Sequence, residues 1–370
     1  MDFELNEDQK LLARTAADFV AKESPLERAR KLRDDELGFD LALYRKMAEL
    51  GWLSLPFAED VGGFGGGFLE VALVLESVGR QLVPEPLLEN ILAGLAVAEG
   101  GSAEQKALLE PLIAGEKLLS LAYLEPNGRQ RRAPYETRAT KKGAGYVVSG
   151  TKTWVSHANA SDAFVVSAEL EGETRLFLVA KDAAGLSLET LKTIDGRRAG
   201  KLTLDAVEAE LLPGSSQALL DHVLDRGAAG AVAEGVGLTQ RVLEITTEYL
   251  NTREQFGVKI GSFQVLQHRA VDMFVETQLI RAASIASSVL ADDPDPAARL
   301  EAISAAKVQL SVGGKYVTQQ SIQLHGGIGC TDEHDIGLFF KRMHALNTLY
   351  GDEAFHLRRF SASPSFAKVG

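Results

Sequence analysis

The chain has 370 residues, a formal net charge of −12 and a single cysteine, Cys330. Single hydrophobic cores stop growing at roughly 250–300 residues, so this length predicts two or three domains. The acidic balance disfavours a nucleic-acid partner, because phosphate binding needs clustered lysine and arginine. A lone cysteine excludes an internal disulfide and a cysteine-based metal cage. No apolar run has the length of a membrane span and the N-terminus has no basic leader, so we expect a cytoplasmic protein.

The hydrophobic pattern changes twice along the chain. Residues 1–118 have apolar side chains at helical spacing, beginning after Asn6, which has the pattern of an N-cap with a capping-box partner. From 119 to 212 the period is two, with glycine turns between the runs, which predicts an antiparallel β barrel or sandwich. Helical periodicity returns over 213–370 and predicts a four-helix bundle. The sequence therefore predicts a helical domain, a central β domain and a C-terminal helical domain.

Familiar nucleotide and metal motifs are missing from the sequence. The glycines at 62–67 do not complete a G-x-G-x-x-G pattern, because Phe68 stands at the third glycine position. There is no Walker loop, no H-E-x-x-H and no C-x-x-C, and the seven histidines have no metal-ligand spacing. We therefore expect neither a Rossmann site nor a metal site.

Three other stretches have chemistry that suits a large planar cofactor. Trp154 and Ser156 lie two residues apart at a predicted strand end, so they share a face that suits a heteroaromatic ring. Arg253 lies near a predicted helix C-terminus, and arginine is a planar, bidentate cation that suits a diphosphate. Gly326 and Gly327 end a predicted helix, and glycine permits close backbone approach to a ligand. Taken alone, each stretch also has an ordinary structural explanation. Trp154 would then be a core residue, Arg253 would bind the carbonyl oxygens at the end of its own helix, and the glycines would form a plain helix C-cap.

In this order, and on this α–β–α frame, the stretches resemble the acyl-CoA dehydrogenase family over nearly the whole chain. Glu125-Pro126 is similar to the start of its E-P-x-x-G signature, and Arg253 to Gly257 is similar to its R-x-x-F-G motif. The resemblance implies a mainly α fold with a central β domain, FAD as cofactor and an acyl-CoA substrate. It implies a cofactor-binding role for Trp154, Ser156, Arg253, Phe256, Gln264, Gln323, Gly326 and Gly327.

The resemblance also implies a mechanism and partners. In the family, a carboxylate removes the α-proton of an acyl-CoA thioester while the β-hydrogen leaves as hydride to the flavin. The electrons then pass to an electron-transfer flavoprotein. The ADP half of FAD is held across a subunit interface, which implies a homotetramer or a heterotetramer with a paralogous subunit.

The sequence departs from the family at the catalytic base. The usual position is Gly351, whose N–H could still polarise a thioester, and a second family position falls on Gly227. Three nearby carboxylates are candidates for a relocated base: Glu353, Asp225 and Glu234. Glu234 is the lone charge on an apolar helix and has no lysine or arginine at i±3 or i±4. It is therefore a functional candidate, or else it faces solvent or a partner chain.

Two further features have open alternatives. The family has a hydroxyl residue before the Glu-Pro pair, whereas this chain has Leu124. The basic run 129–132 follows the pair. This run could contact a CoA phosphate or an acidic acyl group, or it could be a solvated loop. The small residues at 227–237 predict either a wide pocket for a bulky acyl group or close helix packing.

The residues leave two functional hypotheses on equal terms. One is an FAD-dependent acyl-CoA dehydrogenase with a relocated base. The other is a non-catalytic subunit that contributes to the FAD site of a heterotetrameric acyl-CoA dehydrogenase. A binding protein without dehydrogenation, or a flavin-dependent oxidase or monooxygenase of the same fold, has no specific support in the sequence.

Overall fold

The computed structural model describes residues 5–143 and 145–367 of the chain. Its helices are α1 (Glu7–Glu23), α2 (Leu26–Leu32), α3 (Leu41–Glu49), α4 (Phe68–Arg80), α5 (Leu87–Gly100), α6 (Ala103–Lys106), α7 (Leu109–Ile113), α8 (Gln217–Thr252), α9 (Gln264–Leu290), α10 (Pro296–Gln309), α11 (Lys315–His325), α12 (Ile336–Thr348), α13 (Glu353–Ser361) and α14 (Pro364–Ala367). A π-helical turn, Leu310–Gly314, joins α10 to α11. None of the helices in these described ranges is long and apolar enough to cross a membrane.

The strands fill the middle of the chain, apart from one short hairpin. They are β1 (Leu119–Ala122), β2 (Arg138–Lys142), β3 (Gly145–Ser156), β4 (Ala163–Leu170), β5 (Glu173–Ala180), β6 (Leu186–Lys192), β7 (Arg198–Leu211), β8 (Glu254–Gln255) and β9 (Val258–Lys259). The order of helices, strands and helices, with long C-terminal helices, is the one that the periodicity predicts. The capping box at Asn6 is also confirmed, because its side chain accepts from the Gln9 N–H at 2.8 Å and the Gln9 side chain returns the bond.

The central sheet closes on itself. Its order is β1-β4-β2-β3-β7-β5, with β6 on β7 and a further pairing between β4 and β5. The pairings therefore form a ring of β4, β2, β3, β7 and β5, which is a barrel rather than a sandwich. The expectation of a purely antiparallel domain needs correction, since β4 runs parallel to both β1 and β2. Parallel neighbours need a long connection, and here the intervening strands provide it.

The described chain divides into two compact units. One contains the described parts of Met1–Lys31 and Ala228–Gly370 together with Leu69–Val83. The other contains Leu32–Phe68 and Pro84–Gly227, including the barrel. These units do not follow the three-domain boundaries that the sequence predicts, so those boundaries stay a prediction.

Glycines allow α4 and α8 to cross with their backbones in contact. A Cβ at Gly79 would lie 1.9 Å from the carbonyl oxygen of Glu234, and a Cβ at Gly237 would lie 1.8 Å from that of Glu76. Real Cβ atoms do not approach a backbone oxygen so closely, so only glycine fits at these two positions. Of the two alternatives for the small residues at 227–237, this crossing supports close helix packing.

We predict that Gly237→Ala lowers the free energy of unfolding by at least about 2 kcal/mol, because the new methyl group forces the two helices apart. Gly337→Ala is the matched control, since it is also a helical glycine but its nearest Cβ neighbour is the Thr331 oxygen at 3.9 Å. The control should be neutral or stabilising by up to about 1 kcal/mol, because alanine is the better helix former. Urea unfolding of both variants measures the difference, and equal effects would contradict the crossing geometry.

Candidate active site

The end of β3 presents an exposed tryptophan. A bulge between Lys152 and Val155 interrupts the pairing of β3 with β7, and Trp154 has φ +53°. Val155 is buried, whereas the Trp154 side chain is 56% exposed and Ser156 is half-buried. Trp154 is therefore not a core residue, and it lies on the outer side of the strand with Ser156. This placement leaves the indole free to contact a planar ligand.

Two residues before Trp154, Lys152 forms a buried ion pair with Glu125. Lys152 is fully buried, and its Nζ donates to Glu125 Oε1 at 2.8 Å and to Ser167 Oγ at 3.1 Å. Burial lowers the pKa of Lys152 to about 8, although the Glu125 carboxylate opposes the shift. Our sequence interpretation missed this lysine. An alternation signal could have found it, because Lys152 stands four residues after Val148, at an inward-facing position of the strand.

The Glu125 carboxylate also organises the loop before β2. It accepts backbone N–H groups from Tyr135, Glu136 and Thr137. Burial raises the pKa of Glu125, but the Lys152 ammonium and the N–H donors outweigh burial and hold that pKa below its usual range. Glu125, the first residue of the E-P signature, therefore connects this loop to the strand that contains Trp154.

The basic run 129–132 is not simply a solvated loop. Arg132 is buried, and its Nη1 donates to Asp225 Oδ1 at 2.7 Å and to the carbonyl oxygen of Asp221 at 3.1 Å. Asp225 is itself buried, so the two form a buried ion pair. Such a pair holds the carboxylate in its charged, bound form. Asp225 is thus committed to Arg132, which speaks against its prediction as a relocated base.

The surroundings of Glu234 differ from both alternatives that the sequence left open. Glu234 is buried, and its two oxygens accept from Nε and Nη2 of Arg342 on α12, each at 2.6 Å. It does not face solvent, and an arginine distant in sequence supplies the cation that the i±3 and i±4 positions do not. A bidentate guanidinium engages both carboxylate oxygens and stabilises the charged form, which makes a carboxylate a weaker base. Glu234 therefore connects α8 to α12.

Gly351, which the sequence predicts at the family's base position, has a backbone that a side chain would strain. Its φ is +120°, and a Cβ there would lie 2.5 Å from Phe355 Cδ1 and 2.6 Å from His356 Nε2. Glu353, the remaining candidate base, is exposed at the first position of α13, just after the N-cap Asp352. The space next to Gly351 is thus occupied by aromatic rings, and no carboxylate extends from that position.

A second fully buried lysine lies near this turn. Lys307 on α10 is completely buried, and its Nζ donates to the carbonyl oxygen of Leu346 at the end of α12. Burial lowers the pKa of Lys307 to about 7, and the charge of Asp352 offsets part of that shift. Nothing in the sequence distinguishes Lys307, because it belongs to an ordinary amphipathic helix pattern.

The compact unit that contains the C-terminal helices has a cavity of about 710 Å³ at the end of α11. Arg253, Gln323, Gly326 and Gly327, all predicted cofactor residues, line it together with Arg269. Four of the eight predicted residues are therefore brought together. Phe256 is 92% exposed at the tip of the β8–β9 hairpin, and Gln264 begins α9; neither lines this cavity.

This cavity fits the ADP half of FAD. Gly326 has φ +63°, and a Cβ at Gly326 or Gly327 would meet no atom within 4 Å, so both backbones are open to a ligand. Arg253 and Arg269 supply two cations for a diphosphate. His325 Nε2 is buried beside the glycines without a hydrogen-bond partner among the described residues, as expected where a ligand completes the site.

Comparison with known proteins identifies the family. The acyl-CoA dehydrogenase N-terminal, middle and C-terminal domain models match residues 6–116, 120–207 and 218–363. The chain belongs to the acyl-CoA dehydrogenase family. Acyl-CoA dehydrogenases are FAD-dependent oxidoreductases, so the predicted enzyme class, cofactor and fold are confirmed.

Several relatives cover almost the whole chain. The acyl-CoA dehydrogenase IpdE2 of Mycolicibacterium smegmatis is 32% identical over 364 residues, which is 97% of this chain and 99% of that protein. A solved structure of a variant of the Tcur3481-Tcur3483 steroid ACAD is 32% identical, with a TM-score of 0.91. The match covers 98% of this chain and 99% of the chain in that structure. The ChsE4-ChsE5 complex from Mycobacterium tuberculosis is 29% identical with a TM-score of 0.90, covering 98% of both chains.

We predict that stability rises with pH through Lys307. Above pH 7 the native lysine is neutral while the unfolded chain still binds a proton until about pH 10.4, so unfolding takes up a proton. The free energy of unfolding of the wild type, measured relative to Lys307→Met, should therefore increase by about 3 kcal/mol between pH 7 and pH 9.5. Lys315→Met, an exposed lysine on α11, is the control and should show no such increase. Parallel pH profiles for wild type and Lys307→Met in urea would contradict the prediction.

Proposed function

We propose that this chain is a non-catalytic, FAD-site-contributing subunit of a heterotetrameric acyl-CoA dehydrogenase, and that a paralogous subunit supplies the base. The observation that carries the proposal is the backbone at Gly351. Its φ of +120° and the rings of Phe355 and His356 leave no room for a side chain. A base therefore cannot be recovered at this position by one substitution, which indicates that the turn is built without it.

The remaining carboxylates support the same proposal. Glu234 and Asp225 are each buried against an arginine, with contacts of 2.6 and 2.7 Å. A general base needs a free lone pair and a pKa near the operating pH, whereas an adjacent guanidinium stabilises the charged carboxylate. Only Glu353 is exposed and without such a partner, and it lies on the solvent side of its helix N-terminus.

The chain keeps the groups that bind the cofactor. Arg253 and Arg269 would hold the diphosphate, the backbones of Gly326 and Gly327 would approach it closely, and Trp154 would pack beside the isoalloxazine. When bound, FAD supplies the hydride acceptor for α,β-desaturation and passes its electrons to an electron-transfer flavoprotein. The Gly351 N–H remains as a donor for the thioester oxygen, which needs no side chain.

Relatives and the surface support a multimer with a paralogue. Two similar solved structures carry paired names, the ChsE4-ChsE5 complex and the steroid ACAD Tcur3481-Tcur3483. In this chain, α9 has an apolar stripe on its exposed side, opposite the face that it buries. The stripe consists of Val271, Phe274, Val275, Leu279 and Val289. An apolar stripe of this length is typical of a subunit interface. By analogy with the steroid ACAD, we propose a sterol-derived or similarly bulky acyl-CoA as substrate.

One observation keeps the relocated base as a second candidate. Glu353 is exposed and begins α13 two residues after Gly351, so its carboxylate is near the usual position along the chain. Among the described residues, this exposed carboxylate has no arginine or lysine partner that would compete with a substrate proton. With Glu353 as the base, the chain would catalyse desaturation itself.

We predict that Glu353→Gln in this chain leaves the rate of flavin reduction by acyl-CoA within about threefold of the wild type, measured by anaerobic stopped flow on the complex as purified. Loss of a general base costs about 10²–10⁴-fold, so the two candidates are well separated. Glu333→Gln, an exposed glutamate on the turn before α12, is the matched control. A loss above about 100-fold with Glu353→Gln alone would establish the relocated base.

We also predict that Leu279→Glu dissociates the assembly, because it places a charge in the middle of the α9 stripe. Leu11→Glu on α1 is the control, since its side chain is 49% exposed and that of Leu279 is 48% exposed. Light scattering should show smaller particles for Leu279→Glu only. An unchanged mass for both variants would remove the stripe as support for the interface.

A further inference from the structure

The turn between α12 and α13 contains a buried donor without a partner. Gly351 is buried, and no described residue offers an acceptor to its N–H. Buried backbone N–H groups are almost always paired, because an unpaired one forfeits its hydrogen bond to water. The donor is therefore expected to meet an acceptor from a bound molecule.

Two buried side chains bind the carbonyl oxygens that precede this donor. His356 is completely buried, and its Nε2 lies 3.2 Å from the carbonyl oxygen of Tyr350. Since a carbonyl oxygen only accepts, Nε2 carries a proton and donates to it, and Nδ1 lies 3.3 Å from the Ser304 hydroxyl. Lys307 donates to the carbonyl oxygen of Leu346, one turn earlier. The imidazole is thus held at both ring nitrogens.

Two of the side chains that support the turn, Ser304 and Lys307, belong to α10. Ser304 and Lys307 are three residues apart on α10, so they lie on the same face of that helix, and both are fully buried. The turn they support is strained, because Tyr350 has φ +58° and is not a glycine. Such a conformation is unfavourable for a residue with a side chain and persists only when its surroundings enforce it.

We propose that His356 and Lys307 are positioning residues that hold the Gly351 N–H in place as a hydrogen-bond donor to the carbonyl oxygen of an acyl-CoA thioester. This inference rests on the proposed function, which gives the Gly351 N–H its ligand. His356 has a double role in the geometry. Its ring fills the volume of a base side chain, and its Nε2–H fixes the peptide that ends at Gly351. The chain then retains carbonyl recognition where it has lost proton abstraction.

Carbonyl recognition differs from a purely structural role in its dependence on the ligand. A thioester has the carbonyl oxygen, whereas the matching thioether analogue has the same CoA and the same chain without it. A residue that only stabilises the fold affects the binding of both ligands equally. A residue that positions the Gly351 N–H affects only the thioester, because the lost hydrogen bond is present only there.

The test is calorimetric binding of an acyl-CoA and its thioether analogue to the protein in the assembly in which it is purified. We expect His356→Phe to weaken thioester binding about fivefold to tenfold and thioether binding less than about twofold. Because any partner subunit is unchanged, differences between variants belong to this chain. His344→Phe, an exposed histidine on α12, is the matched control and should leave both affinities unchanged.

Ser304→Ala provides a second variant if the bulkier change prevents folding. It removes the hydroxyl that contacts His356 Nδ1 and so loosens the ring, and we expect about a threefold loss for the thioester alone. Equal losses for both ligands, no loss for either, or a wild type that binds both ligands equally would overturn the inference. These outcomes do not test the proposal that the chain is a non-catalytic subunit. That proposal fails if Glu353→Gln abolishes flavin reduction.

Discussion

A buried imidazole determines what the candidate site can do. His356 lies where a side chain at position 351 would begin, and it holds the carbonyl oxygen of Tyr350 at 3.2 Å. Gly351 has a φ of +120°, which a residue with a side chain rarely adopts. Lys307 and Ser304 lie on α10 and contact the same turn through the Leu346 carbonyl and His356. The glycine at the predicted base position is therefore part of a packed structure.

Buried ion pairs support the proposal that the nearby carboxylates stabilise the fold rather than act as the base. Burying two charges is costly unless their geometry and further hydrogen bonds compensate, and breaking such a pair costs about 3–5 kcal/mol. Glu234 with Arg342 and Asp225 with Arg132 have this character, each within one compact unit. A carboxylate that stabilises the fold in its charged form cannot also have the raised pKa that proton abstraction from a thioester requires.

Local patterns predicted much of the fold. The change of period marked the helical parts and the central β domain, and the capping box at Asn6 was evident from four residues. Short motifs also selected Arg253 and Gln323, which line the same cavity in the structure. The ion pairs were not readable, because Arg342 lies 108 residues from Glu234 and the search for a partner covered only i±3 and i±4. The burial of Lys307 was hidden for the same reason. Its depth is set by packing against α12 and α13, which no local window includes.

We propose that this chain contributes cofactor contacts but completes its site only with a paralogous subunit. The FAD content per chain, measured for the protein purified alone and after co-expression with a paralogue, tests this proposal. We expect little flavin for the chain alone and stable FAD in the co-purified complex. One FAD per chain in the protein purified alone, reduced by acyl-CoA, would contradict it and would identify a self-sufficient dehydrogenase.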